Sequence, residues 1–311
     1  MINLILGGGL GNQMFQYAFA RNLSNKTGQK ICFNTYLFNK KINIDRNFSL
    51  NHFSIPTILF CDSKKSENDF NYFFKFMKIV KYLKYILPNS LLCKLINRKK
   101  IYYSVNGPFK FYPYYHNKSN KDIYIHGGFQ SFKYFEEIQE IIHKEFSFSN
   151  KINKKNLDII NLMENRDSVC VHIRRGDYLS PEFKDSLNVC TDQYYKSAIK
   201  YIKEKTTAPK FFIFSNSHED IEWIKANYKF LPEDTFFVDL NNPDYEELQI
   251  MTFCKHFIIS NSSFSWWAQF LSKHTQKIVI APSIWDKRKK CDYKDIYLPH
   301  FIKIDTEGCL I

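Results

Sequence analysis

The stretch Val169-Cys170-Val171-His172-Ile173-Arg174-Arg175-Gly176-Asp177-Tyr178 alternates apolar and polar side chains and then turns charged. Alternation with period two marks a strand, with Val169, Val171 and Ile173 on one face and Cys170, His172 and Arg174 on the other. Adjacent arginines, a glycine turn and an acid end it. Open α/β sheets bind ligands at the C-terminal ends of parallel strands, and two guanidinium forks held there suit a phosphate because they do not titrate. Alone, these ten residues would read instead as a surface strand end with solvated charges. Their surroundings decide the fold: strand 168–174, helix 191–205, strand 210–214, helix 218–229, strand 235–238, helix 243–254, strand 256–260, helix 263–273 and strand 277–281. Strand and helix in strict alternation imply right-handed crossovers and a parallel sheet with helices on both faces, a Rossmann-like half.

At the other end of the chain, residues 2–6 read as a strand, Gly7 to Gly11 as a loop and 12–27 as a helix stopped by Gly28. A dinucleotide fingerprint starting at Gly9 would need glycine at position 14, where Met14 stands. What remains is a loop poor in Cβ atoms, whose backbone N–H groups can approach an anion or sugar; a plain tight turn accounts for the same glycines. From 36 to 120 the chain is irregular, except that 71–87 sets Lys75, Lys78, Lys81 and Lys84 at helical spacing among Phe73, Phe74, Phe76, Met77, Ile79, Val80, Leu83 and Ile86, before Pro88. Such a helix either lies on an anionic membrane or packs its apolar face on a core. Another strand is expected at 123–125, then a helix to about Phe146. The polar segment 147–156 is the expected linker between domains 1–148 and 157–311.

The 311 residues are 44% hydrophobic and 17% aromatic, which argues for a folded chain rather than a disordered one. A formal charge of +13 points to acidic partners: a sugar nucleotide, an anionic membrane surface or nucleic acid. The eight cysteines show no CxxC and no zinc spacing, so all are expected to be reduced. Met1-Ile2-Asn3-Leu4-Ile5-Leu6 runs straight into a glycine loop, unlike a signal peptide, and no apolar run reaches bilayer length. A cytoplasmic protein, with peripheral contact to the inner face of the membrane as an option, is the expectation.

Three motifs occur in order: Gly8-Gly9-Leu10-Gly11-Asn12-Gln13-Met14-Phe15-Gln16-Tyr17-Ala18, then His172-x-Arg174-Arg175-Gly176-Asp177-Tyr178, then Ser260-Asn261-Ser262-Ser263-Phe264-Ser265-Trp266-Trp267. Together they resemble the bacterial α-1,2-fucosyltransferases, and the resemblance runs from Met1 to about Ile304. It implies an α/β protein of the GT-B type, two Rossmann-like domains facing across a cleft. It also implies inverting transfer of L-fucose from GDP-β-L-fucose to O2 of a terminal galactose, on an oligosaccharide or lipid-linked glycan of O-antigen or other surface-polysaccharide synthesis. Two stretches depart from the family pattern. In His126-Gly127-Gly128-Phe129-Gln130-Ser131-Phe132-Lys133-Tyr134-Phe135, Gly128 replaces an aromatic and Phe132 an acid. Phe214-Ser215-Asn216-Ser217-His218-Glu219-Asp220-Ile221-Glu222-Trp223 carries two extra residues, which leaves the role of Asp220 open.

The reaction must neutralise a leaving nucleoside diphosphate and remove a proton from the acceptor. The sequence holds no Asp-x-Asp for a metal, so positive charge has to come from side chains and backbone dipoles, and neither metal nor cofactor is expected. Arg174 is the first candidate for the β-phosphate, with Arg175 supporting it. Asp177 is a base or an orienting acid; beside two cations it is a weak base, which favours orientation. His172 is placed to meet ribose or base. Ser262, Ser263, Phe264 and Ser265 open a helix whose free N–H groups and hydroxyls can hold a phosphate while capping it. In the first loop Gly9, Gly11, Asn12 and Gln13 are candidates for sugar or phosphate contacts. Guanine needs a carboxylate that accepts from N1–H and the 2-amino group; with Asn242 as cap and Pro243 first in the helix, the resemblance gives that role to Glu247. Two readings compete: a fucosyltransferase of other linkage (α-1,6 or protein O-fucosylation), and a basic nucleic-acid-binding protein. The second would need a contiguous basic face, whereas the lysines are scattered, so no nucleic-acid partner is expected.

Overall fold

A computed structural model describes residues 1–39, 46–56, 58–83, 85–88, 91–92, 94, 101–103, 107–113, 121–288 and 292–311. The chain forms two compact units, Met1–Ser149 with Lys294–Ile296, and Asn150–Tyr293 with Tyr297–Ile311. The first is built on five strands, β1 (Ile2–Ile5), β2 (Ile31–Asn34), β3 (Leu59–Phe60), β4 (Ile101–Tyr103) and β5 (Ile123–His126), in the order β3-β2-β1-β5-β4. All their pairings are parallel. Helix Leu10–Thr27 is buried along most of its length and ends at Gly28, whose left-handed backbone (φ 74°) lets its N–H reach Ser24 O at 2.8 Å.

The second unit holds six strands, β6 (Asp167–His172), β7 (Pro209–Phe214), β8 (Phe236–Phe237), β9 (His256–Ile258), β10 (Val279–Pro282) and β11 (Phe301–Ile304), in the order β11-β10-β9-β6-β7-β8. These too pair only in parallel. The motif strand β6 is therefore interior to the sheet. Val169, Val171 and Ile173 join Ile213, Ile258, Tyr194 and Ile202 in one core, while Cys170 and His172 are buried on the opposite face. Burial on both faces follows from helices covering both. Sequence alternation thus told the two faces apart but not that both are dry.

Several expectations are corrected. Strand β6 stops at His172; Ile173 still donates to Phe214 O at 2.9 Å, and the chain then leaves the sheet, so Arg174 and Arg175 stand beyond the strand. Helix Lys154–Glu164, capped by the Asn153 side chain, takes up part of the expected linker, and Lys294–Ile296 belongs to the first unit although 157–311 was expected to be one domain. The lysine-rich helix runs Ser63–Leu83, starting earlier and ending sooner than 71–87; Lys84 lies outside the described residues. Pro243, not Asn242, is the N-cap of helix Asp244–Met251. Cys32 and Cys61, on β2 and just past β3, are joined with Cα atoms 5.7 Å apart, so these two are not reduced thiols. Cys170, Cys190, Cys254 and Cys309 are free, and Cys93 and Cys291 lie outside the described residues.

Candidate active site

The loop after β6 is held from three sides. Arg175 has the dihedrals φ −126° and ψ −106°, and Gly176 takes φ +36°, so the chain turns sharply into the short helix Gly176–Leu179. A Cβ on Gly176 would lie 2.6 Å from Asn216 Nδ2 in the loop after β7, so the turn has room for glycine alone. Arg174 Nη2 donates to Asp177 Oδ1 at 2.6 Å, and its guanidinium lies 4.9 Å from the Tyr178 ring centre. Tyr178 donates in turn to Asn261 O at 2.9 Å, which ties this loop to the one after β9. Arg174 Nε is buried and makes no hydrogen bond.

Arg175 points elsewhere. Its guanidinium lies 3.3 Å from the centre of the Trp223 ring, and its Nε is 3.4 Å from Asp220 Oδ1. The other oxygen of Asp220 accepts from Gly176 N–H at 3.1 Å. Asp220 and Trp223 lie three residues apart on helix His218–Asn227, so one helical turn grips both the second arginine and the backbone between the two motif residues. These two residues, Tyr178 and Ser260 had no role assigned from sequence. For Asp220 and Trp223 the signal was present: both lie in the helix after β7, and β7 is the neighbour of β6.

His172 is 3% exposed, and its Nδ1 lies 3.0 Å from Ser260 Oγ. Burial, assisted by Arg174, pushes its pKa down to about 3, so the ring is neutral. The expectation that His172 meets ribose or base is not met; it braces Ser260 and packs near Phe264, ring centres 6.0 Å apart. The third motif divides likewise. Ser262 caps helix Ser263–Leu271, its hydroxyl accepting from Phe264 N–H at 3.3 Å, and Trp266 and Trp267 are fully buried. Ser265 is also fully buried and donates to Ser262 O at 3.4 Å, so it is not an exposed phosphate donor as expected. Ser263 and Phe264 remain half-buried at the helix N-terminus.

An open pocket of about 120 Å³ lies at the ends of β7 and β8, lined by Asn216, Ser217, Asp239, Asn241, Asn242 and Glu247 among others. Burial, with Asp244 and Asp239 adding to it against the pull of Arg174, raises the Glu247 carboxyl to about 8. His218, Glu222 and Asp239 stand exposed with one ligand-type atom of each within 4.8 Å of the others, and His218 Nδ1 already bonds Asp239 Oδ2 at 2.5 Å.

In the first unit the glycine loop is strapped by amide side chains. Gln13, fully buried, donates to Gly8 O at 3.0 Å and Asn47 O at 2.8 Å and accepts from Ser49 N–H at 3.1 Å. These bonds hold it in the fold, which corrects its expected role as a ligand contact. Asn12 Oδ1 accepts from Gln130 Nε2 at 2.9 Å, joining the first motif to the stretch 126–135. Gly9 caps helix Leu10–Thr27 in extended conformation, and Gly11 is buried in its first turn. Gly128, which departs from the family pattern, has a physical cause: a Cβ there would lie 2.1 Å from Pro108 Cβ.

Two parallel α/β sheets make up a fold of the GT-B type, with a fixed arginine beyond an interior strand and a serine-capped helix N-terminus beyond its neighbour as a candidate anion site. The sequence matches the profile described as glycosyl transferase family 11 over residues 1–305, and the chain belongs to that family. It is 32% identical over 307 residues to an alpha-1,2-colitosyltransferase of Escherichia coli, covering 96% of this chain and 97% of that one. It is 30% identical over 302 residues to the Escherichia coli O-antigen biosynthesis glycosyltransferase WbnK, covering 90% and 93%. Human galactoside alpha-(1,2)-fucosyltransferase 1 matches at 26% over 152 residues, 46% of this chain and 41% of the human one. The crystal structure of the alpha-1,6-fucosyltransferase NodZ co-crystallized with GDP superposes with TM-score 0.53 at 13% identity, over 100% of this chain and 96% of that one, and shares the fold.

Proposed function

We propose that this chain transfers L-fucose, with inversion, from GDP-β-L-fucose to O2 of a terminal galactose on a glycan of surface-polysaccharide synthesis. The observation that carries the reading is Arg174: a guanidinium fixed by Asp177 and Tyr178 at the end of an interior strand, one Nε–H unpaired, in the family's His-x-Arg-Arg-Gly-Asp-Tyr motif. In the transfer the acceptor O2 bonds to the anomeric carbon and gives up its proton to a base or to water, the bond from that carbon to the β-phosphate oxygen breaks, and negative charge grows on the diphosphate. A preorganised guanidinium and a helix N-terminus stabilise that charge as it forms. Glu247 and the pocket at the ends of β7 and β8 take the guanine. The same supports make the donor site independent of a divalent cation.

The test is incubation with GDP-fucose and a panel of β-galactosides, with and without EDTA, followed by linkage analysis. The expected product is an α-1,2-linked fucoside formed equally under EDTA. Loss under EDTA restored by manganese would point to the His218, Glu222 and Asp239 group. A second donor belongs in the panel, because the 32% relative is named a colitosyltransferase; GDP-colitose used in preference to GDP-fucose would change the sugar assigned here.

A further inference from the structure

Helix Ser63–Leu83 is apolar on two faces. One buries Phe73 and Val80 in a core with Ile5, Leu37, Leu92 and Ile101. On the opposite side Tyr72, Lys75, Ile79 and Tyr82 follow each other at spacings of three and four, a single stripe on a helix. That stripe is exposed: Tyr72 by 48%, Ile79 by 55% and Tyr82 by 69%, with Tyr85 by 85% and Ile86 by 61% just past the helix end. The outer face of an ordinary surface helix is polar, and clustered exposed apolar side chains mark an interaction surface.

Charge says what kind of surface it meets. Lys75 within the stripe, and Lys78 and Lys81 beside it, are exposed. From Phe70 to Lys121 the sequence has no Asp or Glu, while it has ten lysines and one arginine. The region therefore carries most of the chain's excess of positive charge. A second copy of the chain is a poor occupant, since a two-fold contact sets like patches against each other and would oppose lysine to lysine. A nucleic acid would satisfy the lysines but gives Ile79 and Ile86 no base to stack on. An anionic bilayer meets all of them. Lysine and tyrosine suit the headgroup level, and isoleucine the acyl boundary.

We propose that the outer face of helix Ser63–Leu83, with Tyr85 and Ile86, docks this protein on an anionic lipid surface. The experiment is flotation of the full chain with vesicles of phosphatidylcholine containing about a third phosphatidylglycerol, against vesicles of phosphatidylcholine alone, at low and high salt. Binding to the anionic vesicles that weakens with salt is expected. At roughly 1 kcal/mol per surface lysine, Lys75→Gln, Lys78→Gln and Lys81→Gln together should weaken it about 10²-fold. Ile79→Ser with Tyr82→Ser should weaken it about tenfold or more while leaving salt dependence in place. Because every substituted side chain is exposed, thermal transitions should stay at the wild-type value, and that is the check on folding. The proposal fails if anionic vesicles are not bound at low salt, if neutral vesicles bind equally, or if the lysine triple variant binds as wild type. It fails also if single-stranded RNA occupies the face and excludes vesicles, or if Ile79→Ser with Tyr82→Ser abolishes a lipid-free dimer.

Discussion

Arg174 and Arg175 are neighbours of one residue type, yet the fold gives them different work. Arg174 is aimed by Asp177, whereas Arg175 lies under Trp223 and against Asp220; the Nε of each is buried without a hydrogen bond. Arg174→Ala should lower the catalytic constant about 10²–10³-fold, as for loss of one preorganised oxyanion donor. Arg174→Lys keeps the charge without the fork and should regain only a small part of it. Steady-state kinetics on folded variants decides; an Arg174→Ala enzyme within a few-fold of wild type would remove this residue from the mechanism. Glu247 makes a separate prediction in pH. Its carboxyl is raised to about 8 by burial, so below that pH the free protein holds it protonated. Guanine offers two donors and needs the ionised form, so GDP binding must expel the proton. Affinity should therefore rise with pH, by up to about tenfold per unit, and level off above about 8. Calorimetry at neutral pH in buffers of different ionisation enthalpy should register proton release, and Glu247→Gln should abolish it. Heats that do not depend on buffer would sink the assignment.

At the scale of elements, the helix His218–Asn227 acts as a clamp. Asp220 near its N-terminus and Trp223 one turn on hold the arginine loop of the adjacent strand, and Asn216 just before the helix leaves room only for Gly176. Asp220→Ala would leave Gly176 N–H without its acceptor and Arg175 without its carboxylate, a cost of about 1–3 kcal/mol. If the clamp positions Arg174, that loss should appear as a catalytic constant reduced about tenfold, with the Michaelis constant for acceptor unchanged. Asp220→Asn keeps an oxygen for Gly176 N–H and should recover much of the rate. Trp223→Ala should act in the same direction through lost stacking, worth about 0.5–2 kcal/mol. Variants that melt early but turn over at the wild-type rate would make the clamp a stabilising feature only.

At the scale of the whole molecule, the chain builds two parallel sheets in sequence, but not as two simple halves. Lys294–Ile296 belongs to the first unit, where Asp295 accepts from Phe111 N–H at 2.9 Å and from Lys133 Nζ at 2.5 Å. A backbone N–H that loses a carboxylate acceptor costs about 1–3 kcal/mol, most of it where water cannot replace the bond. Asp295→Ala should therefore lower the thermal transition of the first unit, and Asp295→Asn should lower it less. Differential scanning calorimetry checks this; an unchanged transition would mean that water restores both bonds. The positive charge of the molecule is uneven rather than scattered as expected, with the acid-free run from 70 to 121 confined to the first unit.

Read along the chain alone, residue pattern already gives the α/β class, the parallel alternation in the second unit, the strand that leads into the arginines and the helix that opens with serines. Those features are local, because hydrophobic period, caps and breakers act over a few residues. Only the tertiary structure decided which polar residues remain free. Gln13, His172 and Ser265 sit inside the very motifs that announced the site, yet each is consumed by bonds to other loops or to its own helix. Asp220 and Trp223, separated from the arginine loop by more than forty residues, became partners of Arg175 and Gly176 through the pairing of β6 with β7. The same holds for the joined Cys32 and Cys61, brought together by the pairing of β2 with β3. A sequence motif names residue types at fixed spacing. Whether a hydrogen-bonding group faces a ligand or a neighbouring strand depends on desolvation and on partners distant in the chain, and both are set only when the sheet closes.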